Sequence, residues 1–595
     1  MAVIRRKYTG IASLIAILTL SYLWTIDSSA SPQSQGWSDE KLYYIEAADY
    51  FWTTLSLNYP PDFIRPLPKS KPTRYPDVQY SFAQETTTAR DIRELRQRSV
   101  KQAFARCWSA YKQHAWLSDE LAPVSGGRKD PFGGWAATLV DLLDTLWIMG
   151  WRDGEFDEAV AAAAIIDFAR TDMHEINVFE TNIRYLGGFL AAFDLSGDIR
   201  LLRKAVEVGE MLYHAFDTPN HMPVTRWDIH AAMSGERQVA GSPLTAEIGS
   251  LSMEFTRLSQ LTGNSKWFDA IQRIMDEMAA QQNSTAIPGL WPLVVDASKL
   301  VFNSGSTFSL GAMVDSAYEY LPKMSALIGG QLEIYQTMYE HAIEAATTHL
   351  LFKPMTPTNE DILIAGQVHM KDNDGLITAV LEPQGQHLVC FLGGLVALAS
   401  KLFYRPDDVA IATKLVEGCI WTYKAFPHGI MPETFMMKPC ARRNNCTWDN
   451  ASWRQEVEMR AGKNMKDVTF DDIIVQERLP RGFTAIPDRR YILRPEAIES
   501  VFVLYRTTGR QGLVESAWEM FQAINRTTTT QFANSAVWDV TLPADQKPQP
   551  SDSMESFWMG ETLKYFYLIF SEPNLINLDE FVFNTEAHPF RRLVG

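Results

Sequence analysis

An all-α fold, a toroid of helical hairpins, is predicted from three features of this 595-residue sequence. Three segments begin near an acid, run apolar-rich and stop at Ser/Thr-Gly: 180–197 (ETNIRYLGGFLAAFDLSG), 247–263 (EIGSLSMEFTRLSQLTG) and 496–509 (EAIESVFVLYRTTG). A glycine just past a helix end supplies the left-handed cap. Each stop is followed by a more amphipathic stretch, 199–216, 266–280 and 511–524. An apolar helix, a tight turn and an amphipathic helix make an αα-hairpin, and its repetition gives a buried inner ring inside an outer ring with one wet face. The irregular spacing of the repeats argues against an open solenoid. In a toroid the inner helices start at one rim, so acids near those starts can converge on one cavity. A plain helical bundle with scattered surface acids is the alternative.

The bulk properties bound the function. Apolar residues make up 46% and charged residues 21%, a globular balance. The net charge of −16 argues against a nucleic-acid partner, which calls for a basic footprint. Aromatics at 12%, with 17 Trp, suit sugar rings and equally a large helical core. Arg5, Arg6 and Lys7 precede an apolar run over 11–26, so 1–30 reads as a cytoplasmic tail with a signal anchor or a cleavable signal peptide. Residues 31–88 are proline-rich and polar, a stem-like linker. Helical patterning starts near Arg90, so the remaining domain is taken as 89–595. Five cysteines leave at least one without an intrachain partner, and Cys440 and Cys446 are close enough in sequence to bridge. Sequons at Asn283, Asn445, Asn450 and Asn525 fit a lumenal chain. The polar stretch 438–470 interrupts the helical pattern and reads as a surface loop or insertion.

Several acids stand where chemistry could use them. Glu180 and Arg184 are four apart and share a helix face, as a surface ion pair or as a tuned acid. In Arg494-Pro495-Glu496-Ala-Ile-Glu499, proline suits the first helical position, and the two carboxylates share one face of the first turn. They complement the helix dipole, or serve as a base and a metal or sugar ligand. Ser551-Asp-Ser-Met-Glu555 is expected to open a long helix, capped by Asp552 or Ser553, with Glu555 in the capping-box position and so structural. Phe557 and Glu561 then share a face, as sugar platforms and common helix pairs both do. In Asn584-Thr585-Glu586-Ala-His588-Pro589, Thr585 offers a hydroxyl and a carbonyl, two hard oxygens of the kind calcium takes.

Together these segments resemble one family. FGGWAATLVDLLDTLW, FETNIRYLGG, AEIGSLSMEFTRLSQLTG, HLVCFLGG, LRPEAIES, MESFWMGETLKYFYLIFS and VFNTEAHP occur in order from Pro131 to Pro589 and look like the class I α-mannosidases, glycoside hydrolase family 47, of the fungal processing type. The resemblance implies an (α/α)7 barrel with a small β and loop contribution. It implies an inverting, exo-acting α-1,2-mannosidase that trims high-mannose N-glycans with bound calcium. Thr585 would be the direct protein ligand, backed by Glu499, Glu561 and Glu586. Glu180 matches the acid, Glu496 the base and Asp315 a third acidic position of varied assignment. Arg184, His387, Arg494, Glu499, Phe557 and Glu561 match residues lining the sugar subsite. Cys390 and Cys419 match the usual disulfide pair, leaving Cys107 unpaired. The setting implied is the lumenal side of the endoplasmic reticulum or Golgi membrane, or secretion after cleavage, for a monomer acting on glycoproteins.

The match departs at Met313, where endoplasmic-reticulum members carry arginine, and at Pro322. An arginine there helps choose the glycan branch, so branch choice is the property these departures touch. The competing reading is a mannose-glycan-binding degradation factor of the same family with little trimming activity. Retention of Glu180, Asp315 and Glu496 favours catalysis.

Overall fold

The computed structural model describes residues 50–373, 376–443, 446–462 and 469–595. The expected signal segment, the first part of the stem and the sequon at Asn445 lie outside them. Among the described residues no helix is long and apolar enough to cross a membrane.

The hairpins close into a ring. Among the described residues the inner wall consists of seven helical stretches: Ala137–Asp141 with Leu143–Ile148; Val178–Glu180 running through Thr181–Leu186 into Gly187–Ser196; Thr245–Gly249 with Ser252–Thr262; Asp315–Leu327; Phe391–Leu402; Glu496–Thr508; and Trp558–Thr562 with Leu563–Ile569. Each touches the next, and the last returns to the first. The outer helices are Glu155–Ala163, Ile199–Tyr213, Lys266–Gln281, Ile334–His349, Asp408–Ala425, Gly512–Thr528 and Thr87–His114. The repeat logic explains the two layers. In Phe391–Leu402 every residue but Lys401 is buried, whereas Ile199–Tyr213 keeps a wet stripe. Gly197, Gly263 and Gly509 take φ of 73°, 73° and 70°, the left-handed caps that the Ser/Thr-Gly stops predict. Pro322 sits inside Asp315–Leu327, and the helix runs on through it.

The inner helices do not all run unbroken. The first of the three repeats takes a π-helical turn at Thr181–Leu186, and the second breaks at Ser250 and Leu251. Short strand pairs decorate the rim, among them Glu175–Asn177 against Arg226–Asp228 and Gln384–Gln386 against Thr434–Met437.

One strand pair, Phe581–Phe583 with Pro589–Arg591, enters the barrel, carrying the turn at Asn584 to His588. Asn584 Nδ2 donates to Glu254 Oε1 at 2.8 Å and to the Ile183 carbonyl at 3.2 Å. The approach is close enough that a Cβ on Gly187 would meet Asn584 Nδ2 at 2.7 Å and His588 Cδ2 at 2.9 Å. Gly187 is therefore required by the plug.

The described part of the expected stem, from Tyr50 onward, takes a short helical turn at Phe51–Thr54, forms no further helix or strand before Thr87, and lies against the barrel. Trp52 is buried and donates to the Phe168 carbonyl; Thr73 N donates to Gly329 O at 2.7 Å, and Tyr80 N to Arg506 O at 2.7 Å. The Thr73 and Tyr80 contacts fall at the ends of Asp315–Leu327 and Glu496–Thr508, opposite the acids that begin those helices. The stretch expected as a loop over 438–470 carries a helix, Asn450–Ala461, capped by Asp449 and pinned by Trp453, whose indole donates to Phe483 O at 2.9 Å. Disulfides join Cys390 to Cys419 and Cys440 to Cys446, and Cys107 is a buried free thiol.

Candidate active site

The rim where the inner helices start opens into a cavity of about 360 Å³, within the range of sites that hold a small ligand such as a sugar ring. Its lining brings together Glu180, Arg184, Asp315, Arg494, Glu496 and Glu499, with Phe557, Glu561, Thr585 and Glu586. The hairpin topology is the reason. Asp315 and Glu496 are the first residues of their helices, and Glu180 closes a short helical turn at the same rim. His387 lies just behind the wall, fully buried.

Arg184 is the cationic centre of one side. Its Nε donates to Glu180 Oε2 at 2.9 Å, and its Nη1 donates to Ser556 Oγ at 2.9 Å and also reaches Glu586. The guanidinium lies 4.5 Å from the Phe132 ring centroid and 5.9 Å from that of Phe557, within cation–π range of both rings.

Glu496 is organised from the other side. His387 Nδ1 donates to Glu496 Oε2 at 3.0 Å, and His387 Nε2 is 2.7 Å from the Tyr423 hydroxyl, which fixes the imidazole. Arg494 Nη1 stands 3.5 Å from Glu496 Oε1, while its Nε donates to Glu433 Oε2 at 2.6 Å. Burial pushes the Glu496 carboxyl up, but the His387 hydrogen bond and the Arg494 charge outweigh it and hold the group below the usual glutamate range. Asp315 behaves oppositely. Burial, with repulsion from Glu319 and Glu496, lifts its carboxyl to about 7 despite a hydrogen bond from Ser316 N. Two neighbouring carboxyls thus prefer different protonation states near neutrality, the mark of an acid–base site.

The floor is crowded with acid. Glu499, Glu561 and Glu586 are buried, and burial together with repulsion from neighbouring carboxylates raises all three carboxyls. Lys323 answers part of this charge, reaching Glu319 and, at 3.4 Å, Glu499. Thr585 sits beside these acids, with its N 3.4 Å from the Tyr320 hydroxyl. Left-handed backbone at Met313 (φ 82°), Leu493 (φ 68°) and Ala587 (φ 57°) brackets the site's three segments. Such positions cost about 1–2 kcal/mol each and persist where surrounding contacts fix them.

One expectation is corrected here. Asp552 and Ser553 cap no helix: Asp552 is left-handed (φ 55°) and its Oδ1 accepts from Val124 N at 2.7 Å and Ser125 N at 3.1 Å. Satisfying two loop amides outcompetes capping. The helical run starts only at Trp558, with no side-chain cap. Glu555 is therefore free to face the cavity, 3.9 Å from Arg184, and is no capping-box residue. Sequence reasoning also gave no role to Glu433, which orients Arg494, or to Glu247, which lines the cavity and accepts from Thr225 Oγ1 at 3.0 Å. Glu247 opens one of the hairpin repeats, so its placement carried a signal; Glu433 lies in the bend just before the strand Thr434–Met437, without one.

The chain resembles known glycosidases over most of its length. The model of glycosyl hydrolase family 47 matches residues 103–592. The human endoplasmic reticulum mannosyl-oligosaccharide 1,2-alpha-mannosidase is 34% identical over 83% of this chain, and the match spans 64% of that protein's length. A probable mannosyl-oligosaccharide alpha-1,2-mannosidase 1B of Aspergillus niger is 32% identical over 85% of this chain and 93% of its own. The solved alpha-1,2-mannosidase from Trichoderma reesei superposes with a TM-score of 0.72 at 32% identity, covering 84% of this chain and 99% of that one. An all-α barrel, a convergent acidic cavity and a family match across most of the helical domain agree, and the chain belongs to glycosyl hydrolase family 47.

Proposed function

We propose that this protein is an inverting, calcium-dependent α-1,2-mannosidase that removes terminal mannose from high-mannose N-glycans on the lumenal side of the secretory pathway. The observation that carries the reading is the pairing, in one cavity, of Glu496, whose carboxyl is held below the usual glutamate range, with Asp315, whose carboxyl is lifted to about 7. Glu496 takes a proton from the attacking water. The leaving oxygen receives its proton from the acid pair, Glu180 or Asp315. Inversion asks for an acid and a water-activating base set apart around the sugar. Arg184 and Phe557 offer a cation and a ring face against which a pyranose can be held.

The residues present fit a calcium ion. Four carboxylates, Glu319, Glu499, Glu561 and Glu586, gather at the floor against the cations of Lys323 and Arg184, a surplus of buried negative charge that a divalent ion would offset. Among the described residues no three His, Cys, Asp or Glu side chains are placed to grip a metal directly. That favours the Thr585 oxygens, waters and sugar hydroxyls as ligands, with the acids acting through hydrogen bonds to those waters. Bound there, the ion would hold sugar hydroxyls and polarise a water. The domain assignment follows: 1–30 anchors or targets the chain, and the barrel works in the lumen as a monomer.

Incubating the protein with a high-mannose N-glycan, with and without a calcium chelator, tests this directly. Mannose release with first-formed β-mannose by NMR, abolished on thorough chelation and restored by calcium, is expected. No release in calcium would sink the hydrolase reading; unchanged release after chelation would remove the metal. The kcat/KM profile is expected to fall on the alkaline side with a midpoint of about 7, because Asp315 must keep its proton to serve as donor. Asp315→Asn should erase that limb from the residual activity; a limb that persists assigns the donor to Glu180.

A further inference from the structure

Outside the acidic cavity, the most informative surface feature is Trp538. Of the tryptophans among the described residues it alone is exposed, at 51%. It is also held firmly. Tyr491 N donates to Val537 O at 3.1 Å and Val537 N to Tyr491 O at 2.9 Å, a closed antiparallel pair extended by Val540 N to Arg489 O at 2.9 Å. Trp538 N itself donates to Gln549 O at 3.0 Å. An indole half open to solvent on a doubly bonded backbone keeps a ring face that the core does not cover.

Strand alternation says which way it faces. Tyr491 and Val537 point inward and are buried; the Tyr491 ring lies 5.7 Å from the His387 ring. Their neighbours Arg490 and Trp538 therefore share the opposite face as a cross-strand pair, with Cβ atoms about 5 Å apart. Ile492 has the same parity as Arg490, and Ile492 lines the cavity. The Trp538 face is thus the outward continuation of the cavity wall, about 7 Å along the strand from Ile492. Beside it, Arg490 clasps Asp488 in a fork, Nε to Oδ1 at 2.9 Å and Nη2 to Oδ2 at 2.6 Å, with both side chains partly open to solvent. An indole face accepts the C–H face of a pyranose, and the adjoining carboxylate and guanidinium offer acceptors and donors to its hydroxyls.

We infer that Trp538, with the Asp488–Arg490 pair, forms a second sugar-ring platform at the cavity rim, holding a mannose other than the one cleaved and so favouring extended glycans over short ones. This rests on the mannosidase reading above. The platform supplies affinity remote from the reacting bond, so it sets which glycans are held and not how the bond breaks.

The test measures kcat/KM for a high-mannose N-glycan and for α-1,2-mannobiose, in the wild type, Trp538→Ala and Trp538→Phe. The ratio of glycan to disaccharide kcat/KM is expected to fall about five- to tenfold in Trp538→Ala, through KM, and to recover partly in Trp538→Phe. The dissociation constant of the same glycan for the Glu496→Gln background should rise by a similar factor when Trp538→Ala is added. An unchanged ratio with an unchanged dissociation constant overturns the platform while leaving the hydrolase reading standing. Absence of any mannose release by the wild type overturns both, and is distinguished by failing on the disaccharide as well.

Discussion

Glu496→Gln is expected to lower kcat by a factor of about 10³ while leaving KM for the glycan within about threefold. The substitution keeps the size of the side chain and one hydrogen-bonding oxygen, so one of His387 and Arg494 keeps its acceptor. It removes the proton-accepting charge. His387 is held by Tyr423 and Arg494 by Glu433, so neither neighbour depends on Glu496 for its position. The loss should therefore appear in kcat and not in binding, because a water-activating base acts in the transition state and contributes little to the ground state. Circular dichroism and the thermal midpoint should match the wild type. Full activity in Glu496→Gln would transfer the base role to another carboxylate of the cavity. A large rise in KM with kcat preserved would make Glu496 a sugar ligand. The acid limb of the pH profile follows from the same contacts. His387 and Arg494 hold the Glu496 carboxyl below its ordinary range, so activity should persist to a pH lower than a free glutamate would allow, and decline only once Glu496 takes up a proton.

The layered barrel could be read from the sequence because its signals are local. The Ser/Thr-Gly stops at Gly197, Gly263 and Gly509 mark helix ends through backbone conformation alone, and the second helices began where amphipathic periodicity placed them. Glu180, Asp315 and Glu496 converge because each sits at the start of an inner helix, a consequence of topology that the repeat exposes. The remainder depends on contacts between distant segments. Nothing near Glu555 tells that Asp552 is consumed by the amides of Val124 and Ser125. The π-helical turns at Thr181–Leu186 and Trp558–Thr562 place one more residue per turn just where Arg184 and Glu561 must reach the cavity, and ordinary helical periodicity cannot announce them. The partners of Arg494 and His387, Glu433 and Tyr423, come from the bend before a rim strand and from an outer helix, whose placement only packing sets.

Lys564→Met is expected to destabilise the fold by about 3–5 kcal/mol, read as a lowered urea midpoint. Lys564 is fully buried, and its Nζ donates to Asp144 Oδ2 at 2.8 Å and to the Ala587 carbonyl at 2.8 Å. Asp144 also accepts from His588 Nδ1 at 2.9 Å, while His588 Nε2 stands 3.3 Å from Asp141 Oδ1. One buried ammonium thus ties the first inner helix to the last and both to the turn that carries Thr585 and Glu586. Removing it strands the Asp144 carboxylate beside a single imidazole, in a medium where an uncompensated charge is costly. The exposed pair of Lys424 with Glu519 provides the contrast: Lys424→Met should shift stability by no more than about 0.5 kcal/mol. The pH dependence separates this mechanism from simple loss of packing. Burial raises the Asp144 carboxyl, but the Lys564 and His588 charges outweigh it, so its folded value is depressed. Its contribution is complete above the ordinary aspartate range and is lost as pH falls through the folded value. Burial lowers His588, but Asp144 outweighs it, so its folded value is raised, and its contribution is complete below the ordinary histidine value and lost as pH rises through the folded one. The network is strongest between those limits. The gap between wild type and Lys564→Met should be widest near pH 5–7 and narrow below about pH 4, where protonation of Asp144 begins to weaken the wild type as well. A gap that stays constant down to acid pH would mean that Lys564 contributes through the packing of its methylenes, and that the charge it carries into the core is not what holds the turn.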